Sequence, residues 1–403
     1  MPLRSLLTPW LVLPALGALV LLLHAPTLAN WGSQDDLAHL RVALQGVPFS
    51  EKFFRPLERL INELNVQMLG YDDLRLSLAV NLLGLLLALV GTYVLGRELR
   101  PHATGSSLFA ATLLAVAPLT VLPSVQIDTI SQQYATVFAL FFFLALLRAS
   151  QRQSRRLYVL AYTFALFALL SKETAPGVIA AIPMGVLIVT RTNYRPTRRA
   201  LRFLVCTYLG VAAVVVLYVA LRVASGYVLT NDDSGQYGLA FTPQRTAKNL
   251  ALYFSSLFYA GGSSLDIFPT PTPWRVAVSS FFTLTLGAVS AVGALRMVRS
   301  PQRAELLALT LLTLAGSFPV VLTEQVSEVY VYSSLPFFAL LIGLCFTRGV
   351  SVIAKRFERL PVLPLAALFS LCLFAWLAFG SYEKIVRVSA AADQPVPTLF
   401  QSS

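Results

Sequence analysis

"WLVLPALGALVLLLHAPTLANWGSQDDLAHL", Trp10 to Leu40, is the stretch whose reading decides the fold. It opens on an almost unbroken apolar run and ends on two adjacent carboxylates, Asp35 and Asp36. About 20 apolar residues is the length that a helix needs to cross a hydrocarbon core of ~30 Å. The two acids stand where the chain leaves that run. In a chain so poor in acid, their place at the mouth of the first apolar segment needs a reason.

The rest of the chain repeats the first half of that pattern. Of 403 residues, 56% are hydrophobic and 12% charged, and the mean hydropathy is +0.70. A soluble domain carries roughly 25% charge. The apolar runs lack the polar faces that helices on a water-soluble protein require. The composition predicts an all-α polytopic membrane protein. The net charge of +12 would suggest nucleic acid in a soluble chain. Here the arginines crowd into short connections between apolar runs, so no nucleic-acid partner is implied. Cys206, Cys345 and Cys372 all fall inside apolar runs, where a free thiol acts as a small hydrophobe. Only Arg4 precedes the first run, which reads as a retained span, with a cleaved signal peptide as the alternative.

About eleven spans are expected, near 9–28, 76–96, 106–123, 133–149, 157–171, 174–191, 201–222, 276–297, 305–323, 331–347 and 361–380. Connections after even-numbered spans are basic: "GRELRPH", "RASQRQSRR", "RTNYRPTRR", "RMVRSPQR" and "RGVSVIAKRFERL". Connections after odd-numbered spans hold nearly all the acids. By the positive-inside rule the basic side and the N-terminus are cytoplasmic. A bacterial inner (plasma) membrane, with the site on its periplasmic or extracellular face, is the expected location. Residues 1–403 read as one transmembrane domain with two long external connections, 29–75 and 223–275, and an external tail at 381–403. "EKFFRPLERLINELNVQML" has apolar residues at helical spacing and predicts a helix in the membrane interface. "ALYFSSLFYAGG" is a second, aromatic candidate.

The topology brings several costly polar residues to one face. These are Asp35 and Asp36, Arg55 in "FFRPL", Lys172 and Glu173 in "LLSKETA", and Glu328 and Tyr332 in "SEVYVYSS". Ionisable groups at membrane depth usually face a cavity or a partner. Each has an ordinary reading too: a solvated acid pair, an interfacial anchor, or a lysine that snorkels while its neighbour faces water. Lys172 and Glu173 are adjacent, and i,i+1 neighbours on a helix do not face each other. Asn81, inside the second span, reads as a helix–helix hydrogen bond. Asp232 and Asp233 read as a turn. His24, His39 and His102 have no metal-ligand spacing.

The order of these motifs carries a resemblance. An acidic pair in a large first external loop, then "FRPL", "LAVNLLGLLLAL", "LLSKETA" and "SEVYVYSS", resembles the GT-C glycosyltransferases. It is similar to the membrane part of the tetratricopeptide-containing O-mannosyltransferases, over roughly residues 30–340. "PLTVLPSVQIDTISQQYA" departs from that family's pattern, with Gln132 and Gln133 in place of its histidines and glutamate, and the repeats are absent. The sugar and the acceptor therefore stay open. The resemblance implies a polyprenyl-phosphate-linked sugar donor and a glycan, lipid or protein acceptor. It implies Asp35 as general base, with Asp36 orienting it or binding acceptor. Arg55 and Lys172 would meet the donor phosphate, and Glu173, Glu328 and Tyr332 would hold the substrate or position the cations. Paired acids permit a divalent metal, but no full ligand set is visible, so no metal or cofactor is assigned. A flippase or transporter of a lipid-linked sugar is the alternative. It would favour polar or Gly/Pro-interrupted spans at midplane and an internal repeat, whereas here the charges lie at one face and no tandem repeat is seen.

Overall fold

The computed structural model describes residues 9–29, 54–70, 73–190, 198–227, 242–258, 272–318 and 328–392. Fourteen α-helices order along them: α1 (Pro9–His24), α2 (Pro56–Leu69), α3 (Arg75–Leu99), α4 (Thr104–Val116), α5 (Val121–Val125), α6 (Ile130–Arg152), α7 (Arg155–Ser171), α8 (Ala175–Thr190), α9 (Arg198–Ala224), α10 (Pro243–Phe258), α11 (Pro273–Val298), α12 (Arg303–Ser317), α13 (Leu335–Arg356) and α14 (Val362–Ala392). The described residues hold no strand. That follows from the solvent: in hydrocarbon every backbone group must bond within its own segment, which a helix does and an open sheet does not. Prolines at the first turns of α2, α11 and α13 begin helices where a missing N–H costs nothing.

Every expected span meets a helix, but not every helix is long enough to cross. Seven helical segments among the described residues are long and apolar enough, or eight if the bent pair α4 and α5 is one span. Helices α7, α8 and α12 have 17, 16 and 15 residues. At 1.5 Å per residue their described lengths are ~23–26 Å, at or below the lower limit for crossing a ~30 Å core. By that measure the described residues hold seven or eight such segments, and the count of eleven read from hydropathy is not reproduced.

The break in the third expected span has a cause. Ala117 is extended, at φ −68° and ψ 129°, because Pro118 excludes the α conformation from the residue before it. The two halves meet at 56°. The amide of Thr120 then turns to Ala117 O, so Val116 O has no helical donor. Ser381 of α14 supplies one at 2.8 Å, and Lys384 donates to Pro118 O at 3.2 Å. Thus α14 is not a span followed by a free tail. Residues 381–392, expected as the start of an external tail, continue the helix, and Ser381 and Lys384 are buried against the break.

Helix α6 is the axis of the bundle, with 83% of its span buried, whereas α14 has 11%, α9 22% and α11 28%. Those outer helices expose Leu201, Leu209, Leu284, Leu363 and Leu371, an apolar surface that a bilayer covers. The chain is an integral membrane protein. Helix α2 has the inverse of a soluble helix's pattern. It buries Glu58, Asn62 and Asn65 and exposes Leu60, Leu64 and Met68. Its buried asparagines bind the start of α3. Asn65 donates to Asp73 O at 2.6 Å and accepts from the Ser77 amide at 3.0 Å, and Asn62 accepts from the Ser77 hydroxyl at 3.1 Å. A helix at a bilayer edge requires its apolar face outward. Expected elements at 30–53 and 259–271, and the Asp232–Asp233 turn, lie outside the described residues.

Candidate functional site

Arg55 stands immediately before α2, and Glu173 stands in the three-residue connection between α7 and α8. They are 118 positions apart and meet in a bidentate pair: Nε donates to Oε2 at 2.9 Å and the second guanidinium nitrogen to Oε1 at 2.5 Å. The remaining guanidinium nitrogen stands 3.7 Å from Glu58 Oε2. The Lys172 ammonium is 3.7 Å from Glu173 Oε1, a charge contact longer than a hydrogen bond.

The local backbone explains why two neighbours share one partner. Lys172 is not on a helix. It ends α7 in extended conformation, at φ −149° and ψ 136°, and Pro176 lies in the first turn of the next helix. The i,i+1 divergence of a helix therefore does not apply, and Lys172 and Glu173 both contribute to one cluster. Lys172 and Glu58 are nearly fully buried, Arg55 is mostly buried and Glu173 is about a quarter exposed. Burial alone pushes the Glu173 carboxyl up. Arg55 and Lys172 beside it outweigh that and hold it well below the usual carboxylate range.

An aromatic wall and a third cation border this cluster. Phe54 packs on Tyr218, with ring centroids 6.0 Å apart, and edge-on to Tyr227 at 5.0 Å. Arg222, one turn beyond Tyr218, is buried and donates to its hydroxyl at 3.3 Å. Sequence reading missed Arg222. The signal was there: it is an arginine at the end of a seventh span whose following connection was expected to be acid-rich.

Tyr332 lies at the same end, linked by hydrogen bonds. Thr174 donates to Gln132 Oε1 at 3.4 Å, and the Gln132 amide nitrogen donates to Ser333. Tyr332 is wholly buried, and its hydroxyl lies beside the Gln133 side chain. Glu328 begins the 3-10 turn Glu328–Ser334, and its side chain lies outside the described residues, as do Asp35 and Asp36 entirely. The structure thus brings Arg55, Lys172, Glu173 and Tyr332 to one end of the bundle.

Gln132 and Gln133 head α6 beside a polar seam. Asn81 donates to Pro123 O at 2.8 Å and to Gln126 O at 2.7 Å, the interhelical bond expected of it. Gln133 also donates to Pro123 O, at 3.0 Å. His24, read from sequence only as lacking metal spacing, is buried with Nδ1 2.9 Å from Ser124 Oγ. Among the described residues no three His, Cys, Asp or Glu side chains are grouped to hold a metal ion.

No family model matches the sequence, and no curated protein matches it. Solved structures do match its shape. The crystal structure of ArnT from Cupriavidus metallidurans bound to undecaprenyl phosphate superposes with a TM-score of 0.57 at 12% identity, over 96% of this chain and 79% of that one. The same enzyme in the apo state gives 0.58 at 14%, over 95% and 76%. An oligosaccharyltransferase from Archaeoglobus fulgidus, tethered to an acceptor peptide, gives 0.50 at 14%, over 94% of this chain but 55% of that one. With likeness along nearly its whole length to both, the chain has the GT-C fold that the order of its motifs resembled.

Proposed function

We propose that this protein is a membrane glycosyltransferase that moves a sugar from a polyprenyl-phosphate carrier to a glycan, lipid or protein acceptor on the external face. One observation carries the reading. Two cations from distant parts of the chain, Arg55 and Lys172, share one carboxylate, Glu173, at one end of the bundle. The neighbouring fold supports it: one ArnT structure holds undecaprenyl phosphate and the oligosaccharyltransferase holds an acceptor peptide.

In the proposed reaction the acceptor attacks the anomeric carbon of the donor. The bond from that carbon to the phosphate oxygen breaks, and polyprenyl phosphate leaves with the electron pair. Asp35 takes the acceptor proton, and Asp36 orients the acceptor. Arg55 and Lys172 meet the charge that grows on the departing phosphate. Glu173 fixes both cations before donor arrives, so little reorganisation is needed at the moment of transfer. Tyr332 and Glu328, with Glu173, are assigned to the sugar hydroxyls or to positioning the cations.

The test is transfer by purified protein from a radiolabelled polyprenyl-phosphate sugar to a panel of acceptors. Donor-dependent transfer that Asp35→Asn abolishes is expected. Movement of lipid-linked sugar across liposomes, with no transfer to any acceptor, would overturn the transferase reading in favour of a flippase.

A further inference from the structure

The arginine-rich end of the bundle holds a second cluster of charge, built differently. Helices α11 and α13 cross backbone to backbone. A Cβ placed on Gly293 would stand 1.8 Å from Cys345 O, and one on Gly349 would stand 2.0 Å from Val289 O. No larger side chain fits either position. One turn past Gly293 comes Arg296, and on either side of Gly349 come Arg348, Lys355 and Arg356. Below the crossing all four cations line one cleft. Its volume is about 320 Å³, and Ser351 and Val352 complete its lining. A second cleft of about 240 Å³ adjoins it and shares Arg348 and Ser351.

These four cations differ from their neighbours at the same end. Arg100 pairs with Glu305 at 3.3 Å, and Arg148 donates to Glu98 at 2.7 Å. Arg296, Arg348, Lys355 and Arg356 have no carboxylate and no hydrogen-bond acceptor among the described residues, and Arg348 Nε is buried without a partner. Helix C-termini and the positive-inside bias explain why cations lie at this end. They do not explain why four converge on one cleft with no acid. Like charges that line one cleft repel, and an anion in the cleft offsets that repulsion.

We propose that this cleft binds the phosphate of an anionic phospholipid headgroup. The site does not rest on the donor-site reading; it lies at the other end of the helices. Its size is at the low end of small-molecule pockets, roughly 300–1,000 Å³, enough for a headgroup and not for a lipid. The surface beside it is apolar and open. Leu295 and Val298 on α11, and Phe357 and Leu360 after α13, are all about half exposed or more. Acyl chains cover such a surface and a soluble anion does not, which favours lipid over free phosphate. Basic clefts between membrane helices at the cationic end are where anionic headgroups bind.

The experiment uses the full-length protein in detergent. Native mass spectrometry counts retained phosphatidylglycerol against phosphatidylcholine, and thermal unfolding reads the stabilisation that each gives. Wild type is expected to prefer phosphatidylglycerol by about tenfold or more and to gain stability from it alone. Arg348→Gln should reduce both readouts, and the combined R296Q, R348Q, K355Q and R356Q variant should remove them. Changing Arg155 and Arg156, basic residues at the same end outside the cleft, should leave both intact. Should the fourfold variant fail to fold, Arg348→Gln beside Arg348→Lys decides, since lysine keeps charge. Equal lipid retention in Arg348→Gln, Arg348→Lys and wild type overturns the site. Inorganic phosphate stabilising wild type as much as phosphatidylglycerol overturns the lipid and assigns the cleft to a soluble anion.

Discussion

The two ends of this bundle handle positive charge in opposite ways. At the Lys172 end, Arg55 is clamped by Glu173 through two hydrogen bonds and Lys172 stands 3.7 Å from the same carboxylate. At the other end, Arg296, Arg348, Lys355 and Arg356 surround a cleft with no acid among the described residues. Cations with a carboxylate between them are held in fixed geometry at low net charge, as a site needs when charge appears only during reaction. Cations without one keep a standing attraction for any anion in the membrane plane. The contrast separates preorganisation for chemistry from a docking point for lipid.

The largest expected effect lies in a residue outside that comparison but required by it. Asp35→Asn should cut transfer by about a hundredfold or more, as removal of a general base does, with folding intact by circular dichroism. Asp36→Asn should cost less. Near-normal turnover of Asp35→Asn removes it from catalysis, and greater damage at Asp36 exchanges their roles. Near-normal turnover in both variants would leave the cation cluster without the general base that makes it a reaction site.

Glu173 comes next, because it defines the difference between the ends. Glu173→Gln leaves two cations sharing a neutral amide, turning this end into a likeness of the other. Breaking a buried pair costs about 3–5 kcal/mol; with Glu173 about a quarter exposed, roughly 1–3 kcal/mol is expected. Rate should fall about tenfold or more. The pH dependence gives an independent reading. The Glu173 carboxyl is held below its ordinary value by Arg55 and Lys172 against the pull of burial, so its contribution is present above about pH 4, the unfolded value, and is lost as pH falls further. Wild-type stability should therefore decline below about pH 4 more steeply than that of Glu173→Gln. Parallel curves would show that the pair contributes nothing to folding.

Arg55 and Lys172 give a smaller and more specific signal. Arg55→Lys keeps charge and loses the planar fork that matches Glu173, and about a tenfold loss of kcat is expected. Lys172→Met should lower kcat with a lesser change in donor binding, as for a contact that matters most in the transition state. Equal loss of binding and rate in both variants assigns them to donor docking.

What sequence alone could reveal followed from the kind of signal each residue emits. Apolar runs of membrane length and alternating arginines are collective, so the helical membrane fold was legible. The motif order pointed to Arg55, Lys172, Glu173 and Tyr332, and the structure brings them to one end. Single backbone events were harder. Pro118 lies inside an apolar run, so hydropathy passes over the 56° break that it causes. Lys172 and Glu173 were read by the rule for a helix, which their extended backbone does not obey. Arg222 meets the cluster through Tyr218, which packs on Phe54, a contact between distant segments. Gln132 and Gln133 registered as departures from a family pattern; their bonds to Thr174, Ser333 and Pro123 are invisible until the helices are packed.

The smallest expected effect tests whether the break in the third span is part of the fold or a local accident. Val116 O loses its helical donor because Pro118 turns the next amides away, and Ser381 of α14 replaces it at 2.8 Å. Interhelical hydrogen bonds in membrane proteins average about 0.6 kcal/mol, so Ser381→Ala should cost about that much, read by reversible unfolding in mixed micelles. Pro118→Ala restores an amide and permits a straight α4, which would supply Val116 O from within. In the double variant the cost of Ser381→Ala should then shrink toward zero, a coupling that a double-mutant cycle isolates. Additive costs would mean that α14 stabilises the bundle without serving the break. A full coupling would tie this mostly lipid-facing helix to the polar seam that lies beside α6, and so to the Lys172 end of the molecule.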